Sequence, residues 1–444
     1  MKKSIGKHSN FLTKKLPLLS AILLCILYLP LKAQDSSYSN YVKQHKEKII
    51  IGGDNSFTFF DKAFYQNQVF FVSESHGYEK PQELDFEIFK QINKKTGLRI
   101  YLAEIDFSQA YYLNKYLTTG NEELLQSIYQ YWYNQQLQWG CKAGFDKWKK
   151  LYAYNQTLPA GKKIRVLGLD GAQDLNMNVQ LLLELLQTAE DQPVKKSFDS
   201  LTTYSKMKLA NKNEKKMFIS YARRLDSTML SNTTLFKKLL KANYYSVQFI
   251  IHNIASKEVR EKKIIDNFTS LYFQYKLGNE KMYGFWGRFH AMQDSVNNSM
   301  PFAGLLKKSQ LPMRNKIVTI PIFCLESSSM LPTSFLPPMA QQKGTIYSKS
   351  SMVNDDSFIY QVAGISVFKS LIEKNSCYIF KLNAANSPYK KGLYLLESSS
   401  KMDKSFEWIG NKKLATTDYF QYAIIVSNSD WAGPYGDNKA EKSL

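Results

Sequence analysis

The sequence predicts an α/β protein with an open, mostly parallel sheet flanked by helices and a large helical insert. The chain has 444 residues, of which 44% are hydrophobic and 22% charged, a globular composition long enough to bury a substantial core. Short apolar runs alternate along it with longer segments of helical character. Strand, helix, strand repetition of this kind is typical of a parallel sheet with right-handed crossovers.

Seven apolar runs are too short for buried helices and are bounded by polar turn residues. Their apolar character is continuous rather than alternating, which predicts strands that are covered on both faces. The runs are Val69–Val72, Leu98–Ala103, Ile164–Leu169, Met282–Trp286, Lys316–Phe323, Cys377–Leu382 and Tyr422–Val426.

Helical segments separate these runs. They are Lys80–Lys95, Phe107–Leu117, Glu122–Tyr133, Leu175–Glu190, Thr233–Ala255 and Lys257–Lys276. The insert over about residues 175–277 is too long for one crossover, so we expect a helical lobe or lid at one end of the sheet. Residues Ser327–Asp356 are rich in Ser, Pro and Gln and predict an irregular loop. We therefore predict one α/β domain over residues 34–444.

The first 33 residues predict a cleaved signal peptide and hence a periplasmic or secreted protein. Lysines at positions 2, 3, 14 and 15 precede the apolar run Leu16–Leu31, and the small residue Ala33 precedes a polar start. The run is shorter than the ~20 residues that a spanning helix needs, so we expect no membrane partner after cleavage, with an uncleaved anchor as the alternative. The oligomeric state is not predicted.

The net charge of +21 raises the question of nucleic-acid binding. Six of the lysines belong to the predicted signal peptide, the others are scattered, and no Arg-rich or RNP-like block occurs. We therefore expect a small-molecule substrate and no nucleic-acid partner. Cys141, Cys324 and Cys377 lack CxxC spacing, which favours buried free thiols, with a Cys324–Cys377 bridge as the alternative.

Ionisable residues follow four of the predicted strands. Because the carboxyl ends of parallel strands meet at one edge of the sheet, these side chains predict one shared polar cleft. They are Glu74 and His76 after the first run, Glu104 and Asp106 after the second, Asp170 after the third, and Arg288 and His290 after the fourth.

Several of these side chains suit acid–base chemistry. His76 precedes Gly77 in a polar turn and titrates near neutrality, and Glu74 could orient its ring. The alternative for His76 is a loop histidine that caps a helix. Glu104 either pairs with a cation or serves in the site, because an unpaired charge at the end of a buried strand is costly. Asp170 has an alternative as a helix N-cap.

No cofactor is predicted, although a divalent metal or haem is left open. Two histidines and two glutamates could bind a metal, but the sequence contains neither HExxH nor CxxC spacing. No GxSxG elbow occurs either, which argues against a serine nucleophile.

Five segments resemble motifs of the erythromycin esterase-like superfamily and occur in that family's order over about residues 68–295. They are Glu74–Gly77, Glu104–Asp106, Arg165–Asp170, Arg260–Asn267 and Trp286–His290. The resemblance implies an α/β fold with a helical insert and hydrolysis of an ester or lactone by an activated water.

The same resemblance implies roles for individual residues. His76 would be the general base, Glu74 and Glu104 would position it and the water, and His290 would match the second functional histidine. The resemblance further implies that Arg260 orients a carboxylate near the cleft. Independently of it, we expect Asp106, Asp170, Arg260 and Arg288 to bind substrate, with Arg288 or Arg260 stabilising developing negative charge.

The sequence also departs from the family pattern. Glu74 and His76 are two residues apart rather than three, a spacing that resembles the Gly-Glu-x-His turn of haem-binding, iron-regulated lipoproteins. The leading interpretation is an exported hydrolase. The alternative is a non-catalytic exported protein that binds haem or another small ligand in the same cleft.

Overall fold

A computed structural model describes residues 36–186, 192–207, 209, 211–341 and 344–436. The predicted signal peptide lies outside these residues. The strands are β1 (Lys46–Ile49), β2 (Val69–Glu74), β3 (Ile100–Ala103), β4 (Arg165–Gly168), β5 (Met282–Gly287), β6 (Ile317–Leu325), β7 (Ser329–Pro332), β8 (Tyr347–Ser350), β9 (Tyr360–Val362), β10 (Cys377–Lys381), β11 (Ser398–Ser400) and β12 (Tyr422–Ser427).

An eight-stranded sheet of order β1-β10-β12-β6-β2-β5-β3-β4 forms the centre of the fold. The six strands from β12 to β4 are parallel, and β10 is antiparallel to both of its neighbours. All seven predicted apolar runs are strands of this sheet, so the predicted fold class is confirmed. Strand β1 was not predicted because its sequence, Lys-Glu-Lys-Ile, contains a single apolar residue.

Helices cover both faces of the sheet. They are α1 (36–44), α2 (Lys62–Tyr65), α3 (Glu79–Thr96), α4 (Phe107–Thr119), α5 (Glu122–Asn134), α6 (Lys142–Thr157), α7 (Leu175–Leu186), α8 (Gln192–Met207), α9 (Lys212–Ser231), α10 (Thr233–Leu240), α11 (Tyr244–Ala255), α12 (Arg260–Gln274), α13 (Phe302–Lys308), α14 (Ser366–Lys369) and α15 (Thr416–Tyr419). The predicted segment Leu175–Glu190 is helical to Leu186, and its end lies outside the described residues.

The central strands are apolar throughout because each face packs on a different layer of helices. On β2, Phe70 and Val72 join a core with α3 and α4, whereas Val69 and Phe71 pack with Phe268 of α12. Helix α6 was not predicted because few of its residues are apolar and only a narrow face, which includes Trp148 and Leu151, is buried.

The region between β4 and β5 contains helices α7 to α12, and α9 packs against α11. The segment Ser327–Asp356 differs from the predicted irregular loop, because β7 and β8 pair within it as an antiparallel ribbon. Its alternating buried and exposed positions, such as buried Ser348 and Ser350 around exposed Lys349, are those of a strand, although its composition is that of a loop.

The order of the strands creates a crevice at their carboxyl ends. After β2 the chain builds β3 and β4 on one side, returns to place β5 between β2 and β3, and then crosses to β6. Ligands of open α/β sheets bind at such a change of direction. The register pairs Glu74 with Gly287 and Ala103 with Phe285, so the residues that follow β2, β3 and β5 lie at one level.

Cys141, Cys324 and Cys377 are buried free thiols, as predicted, and burial raises the pKa of Cys141 to about 12. In the described part of the chain, no helix has both the length and the hydrophobicity of a membrane span.

Candidate active site

His76 and Glu74 form a hydrogen-bonded pair at the end of β2. Nδ1 of His76 lies 3.2 Å from Oε1 of Glu74, and the amide of Gln82 donates to the same oxygen at 2.8 Å. Glu74 is buried, whereas a quarter of the His76 side chain is exposed. Because a carboxylate only accepts hydrogen bonds when ionised, it fixes the ring proton on Nδ1 and leaves the Nε2 lone pair outward.

The environment of His76 favours its protonated form. Burial alone would lower the pKa of His76, but the hydrogen bond with Glu74 and the charges of Glu104 and Glu74 outweigh it, so the pKa lies above its ordinary value of 6.5. The pKa of Glu74 is itself raised by burial.

Gly77 allows the sharp turn that presents His76. It has a φ of +96°, and a Cβ at this position would lie 2.6 Å from the carbonyl oxygen of Met330. The same glycine accepts hydrogen bonds from the backbone N–H groups of Met330 and Ala432. The edge of Trp139 packs against the His76 ring with 5.2 Å between ring centroids. The turn is therefore held by neighbouring loops as well as by its own sequence.

Arg260, at the start of α12, joins three strand ends. Its guanidinium donates to Glu104 Oε1 at 2.7 Å and to Asp170 Oδ2 at 2.5 Å, and Nη1 lies 3.0 Å from Nε2 of His290. Since arginine can only donate, Nε2 of His290 accepts this bond, and the ring proton lies on Nδ1. The structure therefore brings together Glu104, Asp170, Arg260 and His290.

The pKa of Glu104 lies well below the ordinary value of a glutamate. Burial would raise its pKa, but His290, His76, Arg260 and the backbone N–H of Gly287 together lower the pKa to about 2. The Gly287 N–H donates to Oε2 at 2.6 Å. Glu104 therefore stays ionised throughout the neutral range.

Glu261 is a site residue that the sequence analysis did not single out. Its Oε1 lies 2.7 Å from Nδ1 of His290, and its Oε2 accepts the backbone N–H of Phe302 at 2.7 Å. It faces His290 as an ion-pair partner, and Nδ1 of His290 forms no hydrogen bond within the described residues. The sequence signal that could have indicated Glu261 was its position next to Arg260, in the segment Arg260–Asn267 that resembles a family motif.

Asp170 binds Arg260 and does not cap α7. Both of its oxygens accept from the Arg260 Nε, and Oδ2 also accepts from the Gln173 amide at 2.9 Å. The start of α7 is capped instead by Asp174, whose Oδ1 accepts the N–H groups of Asn176 and Met177. The N-cap alternative for Asp170 was therefore wrong.

Asp106 has a structural role, which corrects the expected substrate-binding role. It caps α4 in a reciprocal arrangement with Gln109, and its second oxygen accepts from Gln173, Asp174 and Asn178. Its side chain is 1% exposed, so no hydrogen-bonding capacity faces the cleft. Asp106 follows β3 as predicted, but it turns into the loop that precedes α7.

Arg288 also lies away from the cleft, which corrects its expected role at developing negative charge. The chain enters a 3-10 turn at Arg288–Ala291, so Arg288 and His290 diverge. Arg288 forms two parallel bonds with the buried Asp355, at 2.7 and 2.8 Å, and donates to the Ile322 carbonyl. It is 6% exposed and packs over Phe323 at 4.4 Å.

Gly287 is the point at which the two halves of the site meet. A Cβ on this residue would lie 3.1 Å from Nε2 of His76, 3.4 Å from Oε2 of Glu104 and 3.4 Å from the His290 ring. Its φ of −52° is open to any residue, so the requirement for glycine here is one of space. The free Nε2 of His76 therefore faces the ion cluster across a gap that lacks a side chain.

Gly287→Ala is expected to lower any turnover at this site by about a hundredfold, because a shift of His76 or Glu104 of less than 1 Å spoils their alignment. The change is measured as kcat/KM. Gly161→Ala is the matched control, since a Cβ there would meet nothing within 4 Å. Unaltered kcat/KM in Gly287→Ala would show that the gap has no part in the chemistry.

A small cavity of about 80 Å³ lies beside Glu74 and His76. Aromatic residues form much of its wall, among them Tyr129, Trp132 and Trp139. Within the described residues, no group of three or more His, Cys, Asp or Glu side chains has the arrangement of a metal site.

These features define an α/β protein whose polar site lies at the carboxyl ends of a parallel sheet, and solved structures share this fold. A Bacillus cereus protein matches with a TM-score of 0.67 and 12% identity, over 90% of this chain and 99% of its own. A succinoglycan biosynthesis protein matches with a TM-score of 0.62 and 14% identity, over 89% and 98%. No protein-family model and no curated protein sequence matches the chain.

A mutant of the erythromycin esterase EreC, in its open conformation, also shares the fold. The TM-score is 0.56 and the identity 13%, and the match covers 84% of this chain and 92% of the esterase chain. The fold that the five motifs implied is thus confirmed.

Proposed function

We propose that this chain is an exported hydrolase that cleaves an ester or lactone with a water molecule activated by His76. The observation that carries the proposal is the geometry of His76. Its Nδ1 is held by the buried Glu74, and its Nε2, which has no hydrogen-bond partner among the described residues, faces Gly287 and the Glu104–Arg260 cluster.

This geometry suits general-base catalysis. Nε2 takes a proton from water while the water oxygen bonds to the carbonyl carbon, and Glu74 stabilises the imidazolium that forms. The carbonyl oxygen gains negative charge, which the Arg260 guanidinium stabilises from the edge of the cleft. The imidazolium then returns the proton to the leaving alkoxide as the carbon–oxygen bond breaks.

Two further features support a catalytic role over a purely structural one. The cluster holds the buried Asp170, the partly buried Glu104 and one arginine at the end of the sheet where ligands bind, and Arg260 is 45% exposed, so it can meet a substrate. The shared fold with an erythromycin esterase is consistent with ester chemistry, although at 13% identity it supports the fold and not the activity.

The rate is expected to rise with pH, with a midpoint above 6.5. The pKa of His76 is raised above 6.5, and only its neutral form can accept a proton from water, so activity is lost as pH falls through that pKa. The measurement is kcat/KM between pH 5 and 9. A profile that declines through the same range would contradict a base at His76.

The proposal is tested with the chain from Gln34 onward and a panel of esters and lactones, with and without a chelator. Turnover above that of a denatured control supports the hydrolase. Its loss with chelator would reveal a metal that the reaction requires. No turnover by folded protein would favour the alternative of a binding protein that uses the same cleft.

A further inference from the structure

Two spaces of different character meet at the site. The cavity of about 80 Å³ lies on the His76 side, and a groove opens on the Arg260 side. Trp139 lines both. The groove has two adjoining parts, of about 480 and 550 Å³, which share Tyr131, Gln173 and Lys263 in their walls. An ester bound at His76 would extend into the cavity on one side of its ester bond and into the groove on the other.

The cavity can take only a small group. Its volume of about 80 Å³ is about a sixth of the 480 Å³ of the adjoining part of the groove. The indole N–H groups of Trp132 and Trp139, both in its wall, are buried and lack a hydrogen-bond partner within the described residues, as does Oε2 of Glu74. Buried donors without partners are costly. These groups are left to water or to polar atoms of a ligand, and a short acyl group fits the size of the cavity.

The groove is cationic. Lys215, Arg223 and Lys263 line it, and none forms an ion pair with a carboxylate in the part of the chain that the structure describes. Arg223 donates to the Ala255 carbonyl at 3.2 Å. Of the acidic residues in the walls, Asp170 is bound to Arg260, which leaves Glu258. The excess of positive charge favours an anionic occupant.

The groove also offers polar groups that are not charged. The Oε1 atom of Gln173 is buried and has no hydrogen-bond partner within the described residues. The amides of Gln135 and Asn176 lie in the same walls. Such amides pair with hydroxyl groups, which both donate and accept.

We infer that the substrate is an ester between a small acyl group and an anionic, hydroxyl-rich alcohol such as an acidic sugar unit. This inference rests on the proposed hydrolase function. The acyl group lies in the cavity and the alcohol in the groove. Water adds to the acyl carbon, the bond to the alcohol oxygen breaks, and that oxygen leaves with the proton carried by His76.

The groove is tested by binding alone, with the chain from Gln34 onward that carries His76→Ala. Calorimetric titration with trigalacturonate and with neutral galactotriose at low salt is expected to give about tenfold tighter binding of the acidic trisaccharide. Lys215→Gln/Arg223→Gln/Lys263→Gln should abolish the difference. The control Lys90→Gln/Lys94→Gln/Lys95→Gln, on the end of α3 that leads into β3, should retain it.

Equal affinities for the two trisaccharides, no binding of either, or a preference that survives the groove variant would each overturn the assignment of the groove.

The acyl side is tested with 4-nitrophenyl acetate, butyrate and octanoate on the unmodified site. We expect at least about tenfold higher kcat/KM for acetate than for octanoate, and a preference for octanoate would overturn the assignment of the cavity. Preferential binding of the acidic trisaccharide without turnover of any ester would count against the hydrolase function and not against the groove. Failure of the proposed function and failure of the groove assignment are therefore distinguishable.

Discussion

His76→Ala is expected to lower kcat/KM for ester hydrolysis by about 10³, because a positioned general base contributes between 10² and 10⁴. The free energy of unfolding should fall by about 1 to 3 kcal/mol, because the buried Glu74 loses the hydrogen bond from His76 and keeps only that from Gln82. Both quantities are measured on the same preparation, by initial rates and by urea titration.

His252→Ala is the matched control for this variant. His252 forms a similar pair with Asp226, at 3.1 Å against 3.2 Å for His76 and Glu74, but it lies on the helical insert and its side chain is 55% exposed. We expect its turnover to equal that of the unaltered protein. Full activity in a folded His76→Ala protein would exclude His76 as the base.

Arg288→Met is expected to destabilise the protein by about 4 kcal/mol. The substitution removes one partner of a buried ion pair and leaves Asp355 charged and without its cation. The loss is measured by chemical denaturation. Turnover of the fraction that stays folded should be unchanged, because Arg288 does not face the cleft.

The double variant Arg288→Met/Asp355→Leu isolates the cause. Replacing both partners of a buried pair by apolar residues is often nearly neutral, so most of the lost stability should return. Asp355 also accepts the Cys324 N–H at 2.7 Å, which the double variant leaves unpaired, so recovery should be incomplete. A double variant as unstable as Arg288→Met would show that packing over Phe323, and not the charge, dominates.

Much of the fold could be predicted from the sequence, because the buried strands leave a direct signature. Strands such as β2 and β5 are apolar on both faces, and their ends are marked by ionisable residues. Strand β1 and helix α6 lack such a signature. They are specified by pairing and packing with distant segments, which local composition does not reveal.

The site could be predicted only in part, since a residue's place after a strand does not determine where its side chain points. Glu104 and His290 turn into the cleft, whereas Asp106 turns towards α4 and Arg288 towards β6. Partners that are distant in sequence help to decide these directions, such as Asp355 for Arg288 and Asn178 for Asp106. Glu261 was not predicted as a site residue, because a glutamate in the first turn of a helix is already explained by its favourable interaction with the helix dipole.

The most direct test of the account is mass spectrometry of the protein during a single turnover with 4-nitrophenyl acetate. Direct attack by a water activated at His76 predicts that no acylated chain accumulates at any time before the acid is released. Ser73 and Ser75 flank Glu74, and a serine or histidine nucleophile would behave differently. An acyl group on Ser75 or His76 that forms and decays at the rate of turnover would contradict the account.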